Sequence, residues 1–262
     1  MAEKANPPTL KRLRSYDDVF YRGGYELGTT THGFIFNDEW LMVALDHPSG
    51  EVPPANVSLL NSHLLAAFSG GSESSREYLL NLLPNKCREL QLKKGREASA
   101  AEASKWLAEF LSLHLDTSCS FSLCILIAGW EESGPSLYKV KGNGRRLEVR
   151  GSSAGTGCAA GCSSIIKNML SDDNKDITVD KAKEWAKKTL CMSVYHAHEC
   201  GECVSVYYVG RPGVELVVSN ENIMKLQKRY LREVGRKWED LRKYNKARAL
   251  GMGLELRKAS AS

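Results

Sequence analysis

The order of segments along the chain predicts an α+β fold, two β-sheets face to face with helices on their outer sides, in four αββα layers. Three observations carry that prediction. Strand-like and helix-like segments come in blocks: strands, two helices, strands, two helices, strands. Two of the strands, Trp40 to Leu45 throughout and Phe121 to Trp130 apart from Ser122, are apolar, as buried strands are. The clearest helical segment, Ser99 to His114, carries one apolar face, formed by Ala103, Trp106, Leu107, Phe110 and Leu111.

Residues 1–28 mix prolines, charges and glycines without a sustained period and read as an extension. The texture changes at Gly28. Thr29 to Phe36 is β-branched and aromatic, Asn37-Asp38-Glu39 is a polar turn, and Trp40 to Leu45 completes a hairpin. After a loop marked by Pro48, Gly50, Pro53 and Pro54, a second apolar pair runs through Val57 to Leu60 and Leu64 to Phe68. Gly70-Gly71 breaks the chain, and Ser72 to Ser75 can cap a helix that reaches Leu79 to Leu83. Pro84 is expected to kink or end that helix early. Past Ser99 to His114 come the strands Phe121 to Trp130, Leu137 to Val140 and Arg146 to Val149, separated by Ser133-Gly134-Pro135 and Gly142-Asn143-Gly144. Helical segments follow around Ser163 to Leu170 and Val179 to Val194. Cys203 to Val209 and Val214 to Val218, joined by a Gly210 to Gly213 turn, close a domain of residues 29–222. Residues 223–262 form a basic tail.

Composition narrows the function classes. With 262 residues, 42% hydrophobic and 26% charged, the chain is an ordinary globular one. It is long enough for one large domain plus extensions or for two small domains. No uninterrupted apolar run approaches the roughly 20 residues of a membrane span, so no membrane partner is expected. The opening Met-Ala-Glu-Lys-Ala-Asn-Pro-Pro lacks the apolar core of a secretory signal, which points to cytosol or nucleus. In that setting the eight cysteines read as reduced, small core residues. The net charge of +5 is uneven: Lys225 to Ser262 carries 12 Lys+Arg against 4 Asp+Glu, leaving −3 for the rest. Nothing about the body of the chain calls for a nucleic-acid partner.

Several stretches resemble the type-5, chymotrypsin-like β subunit of the proteasome, a member of the N-terminal-nucleophile hydrolases. They are Gly28-Thr29-Thr30-Thr31 with Gly33 to Phe36, Val43-Ala44-Leu45-Asp46, Cys124 to Trp130 with Gly134 to Tyr138, Gly155-Thr156-Gly157, and Val204 to Gly210. They occur in the family's order from about Gly28 to Val218. The resemblance implies the αββα fold, a place in a hetero-oligomeric ring with other proteasome α and β subunits, and threonine peptidase chemistry on polypeptides where the site is complete.

In that family the nucleophile is a threonine exposed by cleavage after a glycine. Its freed α-amine, with an ordinary pKa of about 7.7–8.0, can act as general base near neutral pH. Thr29 takes that place, although three threonines in a row also suit the start of any strand. The family supports its threonine with a buried lysine oriented by an aspartate. The aspartate matches Asp46, but the lysine position falls on Asn56, and no lysine lies between Asp46 and Lys86. An amide cannot supply the cation's charge. Of the family's second set, serine–aspartate–serine, the positions fall on Thr156, Ala197 and Cys200. Gly70 matches the oxyanion-hole glycine, a residue that a tight turn alone would also explain. Phe68 replaces a smaller specificity-pocket residue and would narrow the pocket; the loop after Asp46 is also shorter than the family's. The expectation is a degenerate site.

His196-x-His198-x-Cys200-x-x-Cys203 holds four potential zinc ligands. The spacing is cramped and passes from a helix end into a strand, so a surface loop is the plainer reading, with no metal or cofactor. In the tail, Leu231, Val234, Trp238 and Leu241 mark an amphipathic basic helix within Ile223 to Ala249. It is read first as lying on the protein itself or on a neighbouring subunit, and second as meeting nucleic acid or another anionic surface. Three functions follow: a ring subunit with an impaired site, a working threonine endopeptidase using Thr29, or a binding module outside the ring that uses the tail.

Overall fold

The computed structural model of the chain describes residues 29–114, 123–155, 177–195 and 201–233. Its first hairpin pairs β1 (Thr31–Phe36) with β2 (Trp40–His47), and Asn37 and Asp38 turn the chain at φ of 53° and 56°. Asn and Asp are the non-glycine residues that tolerate that left-handed backbone best. Next come β3 (Val57–Asn61), β4 (Leu64–Ser69), α1 (Glu73–Lys94), α2 (Ala100–His114), β5 (Cys124–Glu131), β6 (Gly134–Lys141), β7 (Arg146–Glu148) and β8 (Gly151–Ala154). The last elements are α3 (Val179–Tyr195), β9 (Cys203–Gly210), β10 (Gly213–Asn222) and α4 (Ile223–Glu233).

The strands form two five-stranded antiparallel sheets, ordered β10-β9-β2-β1-β8 and β3-β4-β5-β6-β7. Strand alternation then sorts the side chains into three apolar layers. Ile35, Leu41, Val43 and Leu45 of the first sheet meet Leu65, Ala67, Leu126 and Leu137 of the second between the sheets. Phe34 and Met42, one residue out of phase, face Ala186 and Leu190 of α3 and Leu226 of α4. Ala66 and Ile125 face Leu79 and Leu83 of α1 and Leu107 of α2. Each such fully buried large side chain contributes about 1.5–3 kcal/mol. The layers are therefore helix, sheet, sheet, helix, as the segment order predicts.

Two particulars differ from the sequence reading. The helix around Leu79 does not stop at Pro84: α1 runs through it to Gly95, whose φ of 68° ends the helix and whose N–H bonds to Gln91. Ser72 caps its start, accepting from the Ser75 N–H at 3.2 Å. Burial of Leu79, Leu83 and Cys87 on either side of the proline holds the helix across the one backbone bond that is lost. Second, β8 has the sequence Gly-Ser-Ser-Ala, without an apolar signal, yet all four residues are buried because they pair with β1. The chain crosses from β7 to β8, one sheet to the other, through Val149 and Arg150, whose backbones bond to Leu137 and Ile35. The tail's first turns lie on the protein itself: Ile223, Leu226 and Tyr230 are buried against the α3 layer. The segment Ser163 to Leu170 and the apolar side chains from Leu231 onward lie outside what is described.

Replacing Pro84 by alanine restores an N–H for the Leu80 carbonyl inside a helix that is already continuous. P84A is expected to raise the unfolding free energy by about 1–3 kcal/mol, read as a higher urea midpoint at unchanged m-value. A lower midpoint would mean that packing of the pyrrolidine ring outweighs the backbone cost.

Candidate active site

The hairpin register brings the first site residues together. Thr31 pairs with Leu45, so the next position out sets Thr30 opposite Asp46, whose N–H bonds to the Thr30 carbonyl at 3.1 Å. The Asp46 carboxylate turns back to the chain: Oδ1 accepts from the Thr30 N–H, and Oδ2 accepts from the Gly201 N–H at 2.8 Å. Asp46 has no solvent exposure, and burial pushes its pKa up to about 7 against the downward pull of the Gly201 and Thr30 amides.

Thr29, half-buried, precedes β1. Its hydroxyl accepts from Asn56 Nδ2 at 3.1 Å and donates to the Phe68 carbonyl at 3.4 Å, an oxygen that Asn56 Nδ2 also approaches at 3.4 Å. Asn56 is fixed from β4, since the Phe68 N–H bonds to its main-chain carbonyl at 2.9 Å. The side-chain Oδ1 of Asn56 is buried and accepts no hydrogen bond from the described residues. Immediately below, Ser69 Oγ donates to Thr31 Oγ1 at 2.8 Å and ties the two sheets together. Gly70 and Gly71 follow with φ of 68° and 73°, a pair of left-handed residues that glycine alone adopts freely.

Two glycines shape the walls. A Cβ at Gly155 (φ +92°) would lie 1.9 Å from the Thr29 carbonyl oxygen, and one at Gly201 would lie 2.3 Å from the His47 nitrogen. Any side chain at Gly155 would displace Thr29. The Phe68 ring is fully buried in the cluster with Leu79, Leu83 and Leu123. Thr156, Ala197 and Cys200 lie outside the described residues, as do His196 and His198; Cys203 is a buried free thiol that opens β9. Among the described residues no three His, Cys, Asp or Glu side chains gather where a metal ion would bind.

The arrangement has a nucleophile-type hydroxyl beside a neutral amide. The amide can orient the oxygen, but it carries no charge to favour the alkoxide. The hydroxyl proton points at a carbonyl, which cannot act as a base. With no cation beside it among these contacts, the buried Asp46 moves toward neutrality rather than holding a bare charge.

Sequence reasoning does not find Gly201, Ser69 or the buried Lys139, whose Nζ donates to the Ser153 carbonyl at 2.7 Å. Nor does it find His32, fully buried with Nε2 3.0 Å from Ser193 Oγ; burial first, and then the Lys139 charge, lower its pKa to about 3. A lysine between apolar residues of a buried strand, and a histidine inside one, are the available signals.

Asp46 makes stability depend on pH. Its folded pKa lies above the ordinary carboxyl value near 4, so the folded state keeps a proton that the unfolded chain releases. Stability should therefore fall as pH rises from about 4 to about 7, by on the order of 4 kcal/mol, and level off above. In Asp46→Asn that slope should be lost; denaturant melts across the range check it, and an unchanged slope would exclude Asp46 as its source.

Comparison with known proteins agrees with this geometry. The proteasome subunit family model matches residues 25–209. The chain is 33% identical over 201 residues to the proteasome subunit beta type-5 of Spinacia oleracea, covering 74% of this chain and 71% of that one. It is 33% identical over 222 residues to the beta type-5-B subunit of Arabidopsis thaliana, covering 80% and 78%. To the beta type-5 subunit of Gallus gallus it is 28% identical over 227 residues, covering 83% and 85%. With the two-sheet sandwich and the matched span, these place the chain in the proteasome subunit family, as a type-5-like β subunit.

Proposed function

We propose that the chain is a β-ring subunit of the 20S proteasome core particle whose role is structural, because its own threonine peptidase site is impaired. One observation carries the reading: the Thr29 hydroxyl meets the neutral Asn56 amide at 3.1 Å, at the position where the family has its lysine. By the resemblance, Ala197 and Cys200 stand in place of the aspartate and a hydroxyl of the second set, and Phe68 in place of a smaller specificity-pocket residue. Loss of one member of a catalytic constellation commonly costs several powers of ten in rate. The partners are other proteasome α and β subunits, and the compartments are the cytoplasm and nucleus in which that particle works. The alternative, an active chymotrypsin-like endopeptidase, rests on Thr29, Asp46, Thr156 and Gly70 being present.

Restoring the charges tests the reading directly. Asn56→Lys with Ala197→Asp should raise labelling by a threonine-reactive epoxyketone more than either change alone, since such groups act as a unit. Asn56→Lys should also pull the Asp46 carboxyl down and flatten the pH dependence of stability. Wild-type labelling at the rate of an active subunit would overturn the proposal.

Processing gives an independent readout. In this family the propeptide is removed by the same threonine that later cuts substrates. An unactivated Thr29 should leave the Gly28–Thr29 bond intact, and its nitrogen would then remain an amide with no general base to offer. The expected N-terminus, in assembled particles whose other active subunits are inhibited, lies at or near Met1. A mature terminus at Thr29 under that inhibition would show self-cleavage.

A further inference from the structure

Three polar groups meet just before β1, and their contacts leave them poorly satisfied. The Thr29 hydroxyl, the Phe68 carbonyl and the Asn56 amide stand at the corners of a triangle with sides of 3.1, 3.4 and 3.4 Å. Only the shortest side has an ordinary hydrogen-bond length; contacts at the other two are long and weak. The Phe68 N–H is bonded toward Asn56, so its carbonyl, on the same side of the strand, faces the same gap. The far end of the Asn56 amide has no partner among the described residues, although the residue is only 7% exposed. The amide therefore makes one good hydrogen bond, and its two ends are equal enough in size to exchange without repacking.

With its oxygen turned inward, Asn56 completes a set of three neutral oxygens: a hydroxyl, a main-chain carbonyl and an amide carbonyl. Oxygens this close together call for a cation between them. At the observed spacing they subtend about a right angle at an ion roughly 2.3–2.6 Å from each, the oxygen distance of calcium, and sodium is an ion of nearly the same size. A primary ammonium fits less well, because its N–H bonds splay too widely for acceptors so near one another. Three neutral oxygens suit a single positive charge, since doubly charged ions of this size draw on carboxylates. The half-buried position of Thr29 leaves one side for water to complete the shell. Beside this group lies Asp46, a fully buried carboxyl whose contacts are the Thr30 and Gly201 N–H groups and no cationic side chain. A positive charge nearby offsets the cost of ionising it.

We infer that Thr29 Oγ1, the Phe68 carbonyl and Asn56 Oδ1 form a binding site for a sodium ion. Its location takes from the proposed function the equivalence of Asn56 with the family's lysine, so the ion sits where that ammonium would be. The ion supplies the charge that the amide lacks and holds the amide with its oxygen inward.

The test titrates the full chain with sodium chloride, choline chloride keeping the ionic strength constant, and follows the sodium NMR linewidth and the urea midpoint. The line should broaden in the presence of the chain, and the midpoint should rise with sodium along a single-site binding curve. Potassium should give less than half of that rise. Thr29→Val removes one ligand at nearly unchanged volume and should weaken sodium binding by about tenfold or more, since even outer-shell partners of a metal ion cost that much. Asn56→Lys puts an ammonium in the ion's place, as family members do, and should fold yet lose both responses. A wild-type chain without a saturable sodium response, or an equal response in Asn56→Lys, overturns the site; an equal response to potassium overturns the assignment to sodium. Epoxyketone labelling in the same buffers separates this site from the proposed function. Labelling at an active subunit's rate without sodium would sink the impaired-site reading alone, and slow labelling with no sodium response would sink the ion site alone.

Discussion

Strands β1 and β2 have no face for water, and the four-layer architecture follows from that constraint. Every residue from Thr31 to Phe36 and from Trp40 to His47 is buried, so each strand must be covered twice. Cover on one side comes from the second sheet through Leu65, Ala67, Leu126 and Leu137, and on the other from α3 and α4. Once the first sheet is enclosed this way, the second has an outer face of its own, Ala66, Phe68, Ile125 and Ile127, which α1 and α2 must close. Strand alternation decides which residue enters which layer.

The same burial sets the chemistry at the end of β1. Asp46 belongs to a strand with no solvent access, so its charge is tolerable only with strong partners, and it has two backbone N–H groups. Asn56 fits the steric and hydrogen-bonding demands of its position, reaching Thr29 and held by Phe68, while contributing no charge. Geometry and charge are separable here: the Thr29 hydroxyl is held by two polar contacts, the Asn56 amide and the Phe68 carbonyl, and neither carries a charge. Gly155 and Gly201 keep the backbone approaches to Thr29 and His47 open.

The two outer layers differ in another property. Around α1 and α2 the basic groups are interleaved with acids, as in the pairs of Glu89 with Lys86 and Lys93, and of Glu102 with Lys94 and Arg96. Around α3 and α4 the acids are outnumbered, and the cations farthest from the core stand apart from any described carboxylate. Both layers bury the same kind of apolar stripe, so this asymmetry has no role in holding the fold.

The elements and their order are legible in the chain's own residues, because apolar period and turn chemistry are local. Asn37-Asp38 places the first turn, Gly70-Gly71 the break before α1, and the four-residue spacing of Ala103, Leu107 and Leu111 the buried face of α2. The site is legible as far as motif order reaches: it names Thr29, Asp46 and Asn56, whereas Thr156, Ala197 and Cys200 lie outside the described residues. Other features exist only in the assembled fold. Pro84 stays within a helix because packing on both sides outweighs one lost bond, and β8 is a strand because β1 supplies its partner, not because Gly-Ser-Ser-Ala favours one. Gly201 reaches Asp46 from 155 positions away in the chain, and the lysines of α3 join those of α4 only when both helices lie on one sheet. Long-range contact of this kind leaves no periodic trace in a sequence, since the residues that meet are specified by the packing of whole layers.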